Sequence, residues 1–179
     1  MHGRVKVTGE DTRLFEYLPE NTEIAVPLHA ASSMITELAP LLLLLRQGPV
    51  GTIILEEPEA HLHLAAQRLM ARALARLLRA GTRVLVTTHS DTFVQQINNL
   101  MNLHSHPDRD RLMKELGYDL EDLIDPANAK AYEFVSRENG TRVSELEKAS
   151  EGFVVPSLNE TLVNLAQETI NLDEEGNDR

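Results

Sequence analysis

The sequence predicts an α/β protein whose core is a parallel β-sheet flanked by helices. Two short apolar runs, Thr52-Ile53-Ile54-Leu55 and Arg83-Val84-Leu85-Val86-Thr87, have the unbroken hydrophobicity of strands buried on both faces. Between them, residues 64–80 carry leucines and alanines at helical spacing. Strand, helix and strand within about 40 residues make a βαβ unit, with a right-handed crossover and parallel strands.

Each element follows from local chemistry. In residues 3–19, Val5 and Val7 alternate with polar neighbours and Leu14, Phe15 and Tyr17 follow, which predicts a short antiparallel amino-terminal part. Pro19 and Asn21 mark a turn, and residues 23–28 suit a further short strand. Residues 33–46 predict a helix with Ser32 or Ser33 as N-cap and Glu37 in the first turn. Pro40 either kinks that helix or opens a second segment, and Gly48-Pro49 ends it. In the helix over 64–80, Leu69, Ala73, Leu74, Leu77 and Leu78 form the apolar face. Arg68, Arg72, Arg76 and Arg79 mark its solvated face, and Gly81 closes it. A helix begins near Asp91, and residues 109–116 and 119–124 suit helices. Residues 130–136 suit a strand paired with 141–144 across Glu138-Asn139-Gly140, and residues 157–171 suit a closing helix. No internal repeat or low-complexity linker interrupts the chain, so a single domain is expected over 1–172, followed by an acidic tail over 173–179 with Asp173, Glu174, Glu175 and Asp178.

Composition narrows the class. With 179 residues, 42% of them hydrophobic, the chain can bury a core of its own. The absence of cysteine excludes disulfides and thiolate metal sites. No apolar run approaches the roughly 18 residues needed to span a bilayer, and Met1-His2-Gly3-Arg4 opens no secretory leader. A cytoplasmic protein with no membrane partner is the expectation. The net charge of −11 argues against this chain alone binding duplex DNA, so nucleic acid is expected only through an assembly.

The chemistry lies at the strand ends. Ligands of open parallel sheets bind beyond the carboxyl ends of the strands. Glu56 and Glu57 follow the first buried strand, and His89 follows the second. If these strands are neighbours, about 4.8 Å apart, the acid pair and the imidazole face one crevice. One carboxylate can hold a hydrated Mg2+, and the other can orient or deprotonate a water. A neighbouring histidine can hydrogen-bond a phosphate or that water. His61 and His63 alternate with acids in a loop, a spacing without fixed ligand geometry, so a zinc-type site is not expected there.

The segment Ile53-Ile54-Leu55-Glu56-Glu57-Pro58-Glu59-Ala60-His61-Leu62-His63, with Gln67 following, resembles the Walker B and D-loop segment of ABC-type ATPases. It is most similar to the branch that includes the overcoming-lysogenization-defect nucleases and related AAA-type ATPases of phage defence. Val86-Thr87-Thr88-His89-Ser90-Asp91 resembles that branch's switch segment, and Ala31-Ser32-Ser33-Met34 with Glu37-Leu38-Ala39-Pro40 resembles its signature segment. The three stand in the family's order across roughly residues 28–100. The resemblance implies a partial P-loop NTPase (ABC ATPase-like) fold. It implies that Glu56 acts on Mg2+ through water, that Glu57 is the catalytic base and that His89 contacts the γ-phosphate of ATP. Ser33 or Ser32 would bind the nucleotide of an opposite subunit, and Glu59, Ala60 and His61 would form the D-loop at a dimer interface. Met34 stands where the common signature has a glycine.

One part of the pattern is absent. A P-loop needs G-x-x-x-x-G-K-[ST], and no Gly-Lys pair occurs in the sequence. The resemblance therefore implies the carboxy-terminal half of an ATPase head, completed by a missing amino-terminal segment or by a P-loop-bearing partner in a homodimer or heterodimer. ATP hydrolysis, powering a DNA-repair or phage-defence effector, is expected of the intact assembly and not of the isolated chain. The alternative is a non-catalytic dimerisation or regulatory module derived from such a head.

Overall fold

The computed structural model describes residues 3–9, 14–45, 50–150 and 152–177. The chain divides into two compact units, Met1–Ser90 and Asp91–Arg179.

The first unit opens with an antiparallel sheet of β1 (Gly3–Thr8), β2 (Leu14–Pro19) and β3 (Val26–Pro27), in that order. Val5 stands opposite Tyr17, which in turn stands opposite Val26. The expected strand over 23–28 shrinks to two residues, because Pro27 has no N–H with which to extend the ladder. A 3-10 turn, Leu28–Ala30, replaces its end.

Helix α1 (Ser33–Leu45) follows. Ser32 is its N-cap: the Ser32 carbonyl accepts the N–H groups of Ile35 at 2.9 Å and Thr36 at 3.0 Å. Glu37 lies beyond the first turn and so does not serve the helix dipole as expected; its carboxylate meets the His61 imidazole instead. Pro40 sits within a continuous helix. It withholds the N–H that the Thr36 carbonyl would otherwise receive. Gly48 and Pro49, expected to end the helix, lie outside the described residues.

Strands β4 (Thr52–Glu56) and β5 (Arg83–Thr87) pair in parallel, from Thr52 opposite Arg83 to Glu56 opposite Thr87. Helix α2 (Leu64–Arg79) is the crossover between them. This sheet has two strands, and among the described residues it is covered on one face. Ile53 is 6% exposed, whereas Ile54 is 72% and its partner Leu85 57% exposed. The expectation of strands buried on both faces is thus corrected. Successive side chains point to opposite faces, and Ile54 and Leu85 lie on the open one.

Helix α2 buries Ala66, Met70, Ala71, Leu74, Ala75 and Leu77 and leaves Leu69 and Leu78 exposed. The buried stripe is rotated from the expected face. Alanines at 66, 71 and 75 let the helix lie close, and a helix with leucines on several sides does not reveal its inner face by periodicity alone. The His63 side chain caps the helix by accepting from the Ala66 N–H, and Gly81 leaves it at φ +91°.

The second unit contains α3 (Asp91–Ser105), α4 (Arg109–Leu116), the hairpin β6 (Tyr132–Arg137) and β7 (Gly140–Glu145), the short pair β8 (Lys148–Ala149) and β9 (Gly152–Phe153), and α5 (Pro156–Asn177). Leu103, Met113 and Leu123 form a buried cluster with Leu112 and Tyr118 against it. The helix expected over 119–124 is a single 3-10 turn, Leu120–Asp122, in which the Asp122 carboxylate accepts from the Asp119 N–H at 2.9 Å. The hairpin turns at Glu138-Asn139, with Arg137 opposite Gly140. Helix α5 outruns the expected 157–171 and includes Asp173, Glu174 and Glu175, while Asp178 lies outside the described residues. No helix among the described residues is long and apolar enough to cross a membrane.

Candidate functional site

The site begins where β4 and β5 end side by side. Their pairing continues one residue further: the Glu57 N–H donates to the Thr87 carbonyl at 3.0 Å and toward its hydroxyl at 3.3 Å. Glu57 then turns the chain at φ +42°. Non-glycine residues rarely adopt that left-handed region, and Pro58 restricts residue 57 further. Such strain is found at functional sites when the surroundings enforce it. Here the enforcing contacts are the Thr87 bonds before the turn and the Ala60 N–H bond to the Glu57 carbonyl, 3.0 Å, after it.

On the neighbouring strand, Thr88 and His89 continue past β5. The His89 Nε2 lies 3.5 Å from the Glu57 Oε1. The two side chains are 87% and 43% exposed, respectively, so a ligand can reach both. Glu56, the last residue of β4, is exposed opposite Thr87. The three groups thus share one end of the two-stranded sheet.

The remaining candidates are placed differently. Glu59 is 2% exposed. Its Oε1 accepts the Thr88 hydroxyl, and its Oε2 is buried without a hydrogen-bond partner among the described residues. The carboxylate therefore faces inward within this unit, against the end of β5. His61 stays exposed and pairs with Glu37, tying this loop to α1. Ser32 is exposed at the head of α1, and Ser33 is the first residue of that helix. Among the described residues, no group of three His, Cys, Asp or Glu side chains assembles into a metal-binding cluster.

Sequence reasoning missed Thr88, Ser90 and Gln67 as contributors. Thr88 Oγ1 accepts the Ser90 N–H at 3.0 Å, and Ser90 Oγ donates to Gln67 Oε1 at 2.6 Å. Gln67 Nε2 donates to the carbonyls of Leu62 at 3.0 Å and Glu59 at 3.4 Å. All three stand in or beside the segments that carry the resemblance, yet no local pattern gave them a role of their own.

Residues 4–95 match the family described as "AAA domain, putative AbiEii toxin, Type IV TA system", over just more than half of the 179 residues. The chain belongs to this family. The match encloses every residue of the Glu57–His89 site. No curated protein matches this AAA-domain chain. Its fold is similar to that of a solved chain from a study of the structural biochemistry of ATP-driven dimerization and DNA-stimulated activation of SMC ATPases. The TM-score is 0.51 at 15% identity, over 81% of this AAA-domain chain and 74% of the other. At that identity the likeness concerns the fold alone.

Proposed function

We propose that this AAA-domain protein supplies the hydrolytic half of an ABC-type ATPase site, within the branch that includes the overcoming-lysogenization-defect nucleases. The observation that carries this reading is the 3.5 Å approach of Glu57 and His89 at the carboxyl ends of adjacent parallel strands.

The substrate is ATP. Glu57 accepts the proton of a water whose oxygen bonds to the γ-phosphorus while the bond to the β–γ bridging oxygen breaks, releasing ADP and phosphate. His89 hydrogen-bonds the γ-phosphate. An exposed single carboxylate suits Mg2+, which keeps several waters and takes its other ligands from phosphates; Glu56 is that carboxylate. When bound, the ion would neutralise charge on the phosphates.

The residues present fit only part of the nucleotide. With no Gly-Lys pair in the sequence, the backbone cradle and lysine for the β- and γ-phosphates come from a segment or chain outside these 179 residues. Assembly follows from the same reading. Ser32 or Ser33, at the head of α1, meets the γ-phosphate held by an opposite subunit, since a helix N-terminus favours anions. The neighbour's ATP-driven dimerization supports a closed ATP-bound dimer here too. With a net charge of −11, nucleic acid is engaged by the assembly and not by this chain alone. The cycle drives a DNA-repair or phage-defence effector.

The test is reconstitution with the P-loop-bearing segment or partner. Wild type then hydrolyses ATP with Mg2+, and Glu57→Gln retains ATP binding while losing hydrolysis by about a hundredfold or more. Unchanged hydrolysis in that variant rejects Glu57 as the base and leaves the chain as a dimerisation module.

A further inference from the structure

His89 presents a paradox of mobility. Its ring is 87% exposed, yet the proposed chemistry needs the ring held within reach of Glu57. So exposed a ring gains little restraint from packing among the described residues, which leaves the backbone on either side to supply it.

Both flanking residues are pinned. The single hydroxyl proton of Thr88 goes to the buried Glu59 carboxylate, and the same oxygen accepts the Ser90 N–H at 3.0 Å. Ser90 Oγ donates to Gln67 Oε1 at 2.6 Å. The Gln67 amide returns to the carbonyls of Leu62 and Glu59. The circuit thus closes on the segment that Glu57 turns, and the histidine loop is fastened to the glutamate loop at both of its ends. The Glu59 carboxylate is the buried anchor. Among the described residues its Oε2 has no donor, a costly arrangement to maintain for packing alone.

We propose that Glu59 is a positioning residue, which acts through Thr88 to hold His89 opposite Glu57. This deepens the hydrolytic reading above and rests on it for its functional meaning. What Glu59 contributes is an acceptor oxygen at a fixed place and not a charge. Glutamine retains that oxygen and alanine does not. Serine at 88 likewise retains the donor, and valine, of the same shape, does not.

The experiment uses the full chain without nucleotide. The His89 ring Cε1–H signal and the Glu57 backbone amide signal are followed by NMR, beside thermal unfolding. Glu59→Ala and Thr88→Val are expected to displace and broaden both signals, while Glu59→Gln and Thr88→Ser keep them at wild-type positions. Leu74→Ala, a cavity in the buried face of α2, is expected to lower the unfolding temperature without moving either signal. If Glu59→Ala fails to fold, the Thr88 pair decides alone. The proposal is overturned if Thr88→Val leaves both signals in place, if Glu59→Gln disturbs them as Glu59→Ala does, or if Leu74→Ala moves them equally. Since no ATP is present, failure of the clamp is distinct from failure of the hydrolytic reading, which Glu57→Gln tests in the assembled enzyme.

Discussion

His89 Nε2 stands 3.5 Å from Glu57 Oε1, and strand register brings them there. Glu56 is opposite Thr87, so the residue one step past β4 meets the residue two steps past β5. An exposed side-chain contact of this kind contributes little to stability. Their approach therefore has its use in what the two groups do to a third.

In the reconstituted assembly, His89→Ala is expected to slow ATP hydrolysis by about a hundredfold, in the range for losing one donor to developing negative charge. The fall should lie mainly in kcat, with a smaller change in KM for ATP. Steady-state phosphate release across ATP concentrations checks this, and an unchanged kcat would remove His89 from the site.

The backbone at Glu57 carries strain that its chemistry does not need. A left-handed residue with a side chain costs roughly 1–2 kcal/mol, and its φ is +42°. Glu57→Gly is expected to raise stability by about 1 kcal/mol in denaturant unfolding, while abolishing hydrolysis in the assembly. A loss of stability would show that the glutamate side chain supports the fold.

The rotated face of α2 can be read from two leucines. Leu74 is 2% exposed and Leu69 is 61% exposed. Leu74→Ala is expected to cost about 2–5 kcal/mol, and Leu69→Ala within about 0.5 kcal/mol of zero. Equal costs in urea unfolding would contradict the packing described.

In the second unit, the Asn98 amide stands in for a neighbouring strand, donating to the Phe153 carbonyl and accepting from its N–H, each at 2.8 Å. Asn98→Ala is expected to cost about 1–3 kcal/mol by orphaning those buried groups. Gly152 lies at φ +106°, and a side chain there would collide with Asn98, so Gly152→Ala is expected to cost a similar amount. Hydrogen exchange at the Phe153 amide reports both. Because the two sites share one contact, the double variant should cost less than the sum.

Much of the first unit was legible in the sequence because its signals are local. Continuous apolar runs, a helical stripe and Gly81 delimit a βαβ unit, and residues after strand ends are chemical candidates without any knowledge of contacts. That reasoning singled out Glu56, Glu57 and His89, which share one end of the two-stranded sheet. It did not foresee that the Glu59 side chain is buried against the end of β5, and it misjudged Glu37, which lies beyond the first turn of its helix and pairs with His61.

What the sequence determined alone was thus the order of elements, the parallel pairing implied by the crossover, and which residue types stand at the strand ends. Backbone propensity and hydrophobic spacing act over a few residues and can be read directly. The tertiary structure alone decided which face of α2 is buried, that Ile54 and Leu85 lie on an open face, and that Thr88, Ser90 and Gln67 fasten the histidine loop to the glutamate loop. Those outcomes depend on strand register and on the left-handed turn at Glu57, which bring side chains far apart in sequence within hydrogen-bond reach, and no local pattern encodes such distances.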